Sequence, residues 1–185
     1  NNVITLSNWY RGIPRSIAYP DSTAQSATVN DVGWITSVTD QNGYVTGYGY
    51  DAMGRLASVV YPTGDTTVWN TTTQVFEQVA GTEYGIPTGH WRQTVSTGNA
   101  RKITYYDAMW RPLVTREYDA ANETATKRFQ RFTYDHAGRT TFASYPGTTD
   151  ALTTGNWTAY DALGRPTSTS QDSELSPSLL TTTIQ

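Results

Sequence analysis

The chain has 185 residues, 37% of them hydrophobic and only 16% charged, with a net charge of −3 and no cysteine. This rules out disulfides, thiolate metal sites and a cysteine nucleophile, and it offers no basic surface of the kind nucleic acid selects. No apolar run approaches the ~20 residues that a membrane helix needs.

The chain opens NNVITLSNWY, without Met and without a visible signal peptide, so it reads as a piece of a longer polypeptide. The stretch NWYRGIPRSIAYPDSTAQSA has the look of the hairpin unit that recurs downstream, and it contains the turn Tyr19-Pro20-Asp21-Ser22. Val29-Asn30-Asp31-Val32-Gly33-Trp34-Ile35 keeps the shape of a tight turn but lacks the Tyr, Asp and Arg of later copies. Thr39-Asp40-Gln41-Asn42-Gly43 closes the following strand. VTGYGY then alternates as a strand should and runs into Tyr50-Asp51-Ala52-Met53-Gly54-Arg55, the clearest copy, from which RLASVVY leads to Tyr61-Pro62-Thr63-Gly64. Residues 70–90, with TTTQVFEQVAGTEYGIPTGH, are an irregular insertion with a longer loop around Gly81 to Gly89. VSTGNARKITYYD adds a tight turn at Gly98-Asn99 and enters Tyr106-Asp107-Ala108-Met109-Trp110-Arg111, where Trp occupies the Gly slot. Tyr118-Asp119-Ala120-Ala121-Asn122 ends the next strand. Only Ala120 to Lys127 could form a helical turn or two, and a loop is expected there. KRFQRFTY and RTTFASY flank Tyr134-Asp135-His136-Ala137-Gly138-Arg139, Tyr145-Pro146-Gly147-Thr148 follows, and Tyr160-Asp161-Ala162-Leu163-Gly164-Arg165 is the last copy.

The recurring unit has a physical reading. Asp at the first position of a type I turn accepts backbone N–H bonds through its carboxylate, and Gly three residues later accommodates a positive φ. Asp-x-x-Gly is therefore a tight hairpin turn with a bulge; Tyr ends the incoming strand and Arg opens the outgoing one. Pro in the second turn class presets φ and cannot continue a central strand. With 13 Tyr, 6 Trp and abundant Thr, the segments between turns favour strands. The copies begin at residues 29, 50, 106, 134 and 160, and such periods mark a repeat architecture with variable loops. The fold class is all-β: antiparallel β-hairpin repeats forming a coiled sheet, with residues 1–185 as a single array.

The Tyr-Asp-x-x-Gly-Arg signature at Tyr50, Tyr134 and Tyr160, with the variant copies at Tyr106 and Val29, resembles the Rhs/YD-repeat family: bacterial Rhs and wall-associated polymorphic toxins, the B and C components of Tc toxin complexes, and teneurins. The resemblance implies a stretch of β-solenoid shell that encloses the C-terminal toxin or effector of the same polypeptide. It also implies a secreted or cell-surface bacterial protein. In that family a separate region with a D-P-x-G-type motif frees the cargo; no Asp-Pro pair occurs here, so this segment should not process itself. Its partners would be the rest of the shell and the effector, with self-association possible through exposed strand edges. The alternative is a surface repeat module that binds carbohydrate or a protein.

Individual residues are weighed against plain structural roles. Asp51, Asp107, Asp135 and Asp161 beside Arg55, Arg111, Arg139 and Arg165 could repeat a ligand or cation site, but turn chemistry with Asp–Arg pairing accounts for the same types. Together with Tyr50, Gly54, Tyr106, Tyr134, Gly138, Tyr160 and Gly164 they are read as repeat-defining turns. The aromatics, Trp69, Trp91, Trp110 and Trp157 foremost, could form a sugar platform; cross-strand packing is the favoured reading. His90 and His136 are the only histidines, neither near a nucleophile elbow, so no catalytic residue is assigned. No metal or cofactor site is expected, since two distant histidines and no D-x-D-x-D loop do not make one. The sequons at Asn70, Asn122 and Asn156 are expected by chance in a Thr-rich chain.

Overall fold

A computed structural model describes residues 2–173 and 179–184. It is all-β and antiparallel, with 15 strands whose order in the sheet follows the chain. They are β1 (Thr5–Tyr10), β2 (Ile13–Ala18), β3 (Ala24–Val29), β4 (Ile35–Thr39), β5 (Val45–Tyr50), β6 (Leu56–Val60), β7 (Thr72–Gln78), β8 (Trp91–Thr97), β9 (Ala100–Tyr106), β10 (Pro112–Asp119), β11 (Arg128–Tyr134), β12 (Thr140–Ser144), β13 (Gly155–Tyr160), β14 (Pro166–Asp172) and β15 (Leu179–Thr183). The one helix among the described residues, α1 (Glu123–Thr126), is a single turn inside the 120–127 stretch where a loop is expected. Each described strand pairs with its chain neighbours, as a run of antiparallel hairpins requires.

Two compact units divide the chain: Asn1–Val75 with Ser96–Gly98, and Phe76–Val95 with Asn99–Gln185. The first has no deep core. Its strands are mostly half-buried, and of its larger apolar side chains only Val29 is buried. Tyr and Thr cover strand surface without making a dense interior, which is what the composition allows.

The second unit owns the hydrophobic cluster of Ile86, Ile103, Tyr105, Val114 and Phe129, with Tyr84, Leu113, Tyr118 and Leu152 packed against it. Val114 is fully buried and Tyr105 nearly so. Burial, with Tyr84 and Glu83 nearby, pushes the Tyr105 phenol far above its ordinary range. The 70–90 stretch is only partly irregular: it holds β7, and its loop 79–90 brings Tyr84 and Ile86 onto β9–β11. Backbone bonds from Val79 N–H to the His90 carbonyl (2.8 Å) and from Gly89 N–H to the Val79 carbonyl (2.7 Å) close the loop's neck. Between β12 and β13 the backbones approach closely. A Cβ on Gly155 would stand 2.3 Å from the Ala143 carbonyl oxygen, so only glycine fits opposite Ser144.

Candidate functional site

Six hairpin turns share one hydrogen-bond pattern. In the Asp51 turn the Asp51 N–H donates to the Arg55 carbonyl (2.9 Å) and the Gly54 N–H to the Asp51 carbonyl (3.0 Å). Asp51 Oδ1 accepts the N–H groups of Met53 and Arg55, each at 2.9 Å. The same bonds recur at Asp107, Asp135 and Asp161, at Asn30, and at Asp40. Register shifts at Val29, Tyr50, Tyr134 and Tyr160, and at Pro112 opposite Tyr106, mark a bulge beside five of these turns. The Asp40 turn joins β4 to β5, at the opposite end of the strands from the Tyr-Asp turns. Its position in the chain matches the Tyr-Pro turns, but its bonding is that of the Tyr-Asp class.

In four turns the arginine at the fifth position closes back on the aspartate. The Nε–Oδ2 distances are 2.7 Å (Arg55–Asp51), 2.7 Å (Arg111–Asp107), 2.6 Å (Arg139–Asp135) and 2.8 Å (Arg165–Asp161). These bonds hold the carboxyls below their ordinary value. For Asp51 and Asp161 the arginine backbone N–H contributes most, then the guanidinium. For Asp107 and Asp135 burial opposes the charge, and the bonds from Arg111 and Arg139 outweigh it.

The same arginines join one turn to the next. Arg111 lies 4.7 Å over the Tyr134 ring and its Nη1 donates to the Asp135 carbonyl at 3.4 Å. Arg139 lies 4.6 Å over Tyr160 and donates to the Asp161 carbonyl at 3.4 Å. The tyrosines answer: the Tyr134 hydroxyl donates to the Pro112 carbonyl (2.8 Å) and Tyr160 to Thr140 (3.2 Å), in each case the residue after the arginine. In the first unit Trp34 holds the arginine position; its ring packs on Tyr50 at 5.1 Å, and the Tyr50 hydroxyl donates to the Ile35 carbonyl at 2.7 Å. Trp34 thus does by ring packing what Arg111 and Arg139 do as cations, an equivalence that residue type alone hides.

The Gly slot lies under this latch. A Cβ on Gly54 would fall 2.5 Å from Trp34, and one on Gly164 2.8 Å from the Arg139 Nη1, at φ of +80° and +85°. Trp110 is the exception, in the left-handed region at φ +63°. The preceding connection in its unit is the 79–90 loop, which offers no arginine, and its ring stacks instead on Phe76 (5.1 Å) and Trp91 (5.4 Å). Arg165, in the last turn, has a side chain 73% exposed, against 26% for Arg111 and 25% for Arg139. The difference is the covering Tyr-Asp turn.

The other candidates are dispersed. His136 is exposed in its turn. His90 is buried, with Nδ1 donating to the Pro87 carbonyl (2.8 Å) and Nε2 3.3 Å from Glu83 Oε2, so its partners are structural rather than a nucleophile. Trp91 and Trp110 share the stack with Phe76, Trp157 packs on Phe142 at 4.9 Å, and Trp69 stands exposed in the first unit. Asn70, Asn122 and Asn156 are exposed. No helix among the described residues is long and apolar enough to cross a membrane.

Residues 29–66, spanning the Asn30, Asp40 and Asp51 turns, match the RHS Repeat family. No curated protein matches the sequence. Among solved structures, a TcdB2–TccC3–Cdc42 crystal structure aligns with a TM-score of 0.67 at 13% identity, over 92% of this chain and 9% of that one. A Photorhabdus luminescens Tc holotoxin pore (TM-score 0.42, 10% identity, 98% and 12% coverage) and a TcdB2–TccC3–TEV crystal structure (0.38, 15%, 91% and 10%) also align. The first of these shares the fold. The chain spans roughly a tenth of each of these longer chains.

Proposed function

We propose that the chain, whose residues 29–66 match the RHS Repeat family, is a structural segment forming part of a wall that encloses the C-terminal effector of a longer secreted or surface polypeptide, and that it performs no catalysis itself. The observation that carries this reading is the latch between turns. A wall must resist opening between neighbouring hairpins, and Arg111–Tyr134 and Arg139–Tyr160 bind each hairpin to the next beyond the strand ladder. The fold shared with a far longer chain supports the segment being one portion of a larger sheet. The rest of that sheet and the effector are its partners.

Proteolysis of the full-length polypeptide tests this. Enclosure predicts that the C-terminal part resists a nonspecific protease while the array is folded and is degraded once Gly155→Val opens the β12–β13 pairing. Cleavage of the C-terminal part in the intact protein at the rate of the free segment would contradict enclosure.

A further inference from the structure

Charge and residue type vary together in the six turns, with one departure. Where the fifth residue is arginine, the first is aspartate, and the guanidinium neutralises it: Asp51, Asp107, Asp135 and Asp161. Where the fifth residue is Trp34, the first is the neutral Asn30, whose Oδ1 accepts the Val32 and Trp34 N–H groups at 3.2 and 2.9 Å. The Asp40 turn keeps the charge but places Tyr44 at the fifth position. Asp40 Oδ1 caps the turn, accepting Asn42 N–H (2.8 Å) and Tyr44 N–H (2.9 Å). No Lys, Arg or His among the described residues pairs with Asp40 or with Asp65.

That carboxylate borders a cavity of about 300 Å³ lined by Asp40, Tyr44, Pro62, Asp65 and Trp69. The cavity is built rather than incidental. Asp65 Oδ1 takes the Thr66 N–H (2.7 Å) and its Oδ2 takes the Trp69 indole N–H (3.1 Å), fixing the indole beside Tyr61 at 6.4 Å. These bonds, the one from Trp69 foremost, hold the Asp65 carboxyl below its ordinary value. Trp69 and Tyr44 nonetheless remain 59% and 48% exposed, large aromatic surfaces left at a doubly anionic cleft.

We propose that this cavity binds the guanidinium of an arginine side chain supplied by a partner polypeptide. The molecule shows the chemistry twice over: Arg111 and Arg139 each sit between an aspartate and a tyrosine ring. The cavity presents the same elements, carboxylate and aromatic face, without an arginine of its own. A planar guanidinium can pair with a carboxylate edge-on while stacking on an indole, which a point-charge ammonium does less well. This goes beyond the enclosing role and stands or falls without it.

The test is a titration of the 185-residue chain, followed by ¹⁵N–¹H correlation spectra, with the acetyl amides of arginine, lysine and citrulline. Arginine amide should bind with a Kd on the order of 1–10 mM, as expected of one exposed side chain, and move the Asn42, Tyr44 and Trp69 indole resonances. Lysine should bind several-fold more weakly, and neutral citrulline should move nothing. Asp40→Asn, which keeps the turn as Asn30 does in its own, should weaken arginine binding by about tenfold. A short arginine-bearing peptide should bind more tightly than the amide. Equal binding of citrulline or lysine, unchanged affinity in Asp40→Asn, or a peptide no tighter than free arginine would each overturn the proposal.

Discussion

Replacing Arg139 and Arg165 separately by Ala isolates the latch between turns. Both substitutions remove the same ion pair inside the turn, at 2.6 and 2.8 Å, so that loss cancels in the comparison. Only Arg139 also covers a following tyrosine, at 4.6 Å, and reaches the next turn's carbonyl, at 3.4 Å. A partly desolvated cation over an aromatic ring is worth about 0.5–1 kcal/mol. The long hydrogen bond adds about 0.5 kcal/mol at most. Arg139→Ala should therefore cost about 0.5–1.5 kcal/mol more than Arg165→Ala. With a urea slope of about 1.5–2 kcal/mol per molar, the unfolding midpoints should differ by roughly 0.3–1 M, read by tryptophan fluorescence. Both sites lie in the second unit, so one transition reports both. Crossing Arg139→Ala with Tyr160→Leu should give a coupling of about 0.5–1 kcal/mol. Equal midpoints, or a coupling of zero, would refute the latch.

Trp110→Ala loses the aromatic stack and keeps the left-handed backbone, whereas Trp110→Gly loses the stack and relaxes it; thermal unfolding should favour the glycine variant by about 1 kcal/mol. Gly155→Ala drives a Cβ into backbone and should cost about 3 kcal/mol or more, with loss of amide protection in β12 and β13 by hydrogen exchange; a loss under 1 kcal/mol would show that the strands separate easily. The turn carboxyls titrate lower in the folded chain than their ordinary 3.8, so their stabilisation is full above that value and is lost as pH falls through the depressed folded values. Melting temperature should be level above about pH 5 and drop below about pH 4, and Asp51→Asn should flatten the drop; a rise on acidification would contradict the sign. The isolated chain presents β1 and β15 as open edges and carries exposed Val32, Met53, Met109 and Leu163 at its turn tips, so light scattering after size exclusion should show association growing with concentration.

What is legible in the sequence is what is local. Asp51, Gly54 and Arg55 bond to one another across five residues, so residue type and spacing carry their arrangement. The strands follow from alternation between turns. What is not legible depends on contacts made across the sheet. Trp34 reads as a lost arginine until its ring is found on Tyr50, 16 positions later. The 79–90 loop reads as a break, yet it supplies Ile86 and Tyr84 to the core; apolar side chains among glycines were the available sign. By its place in the zigzag the Asp40 turn reads with the Tyr-Pro turns, although Asp40-Gln41-Asn42-Gly43 has the Asp-x-x-Gly spacing in plain view.

Electron cryomicroscopy of the full-length polypeptide tests the enclosing role most directly. These hairpins should continue in chain order as consecutive strands of a larger sheet, β1 and β15 each hydrogen-bonded to a flanking strand, with density for the C-terminal effector on the enclosed side. Hairpins packed on a solid core, with the effector outside, would contradict it.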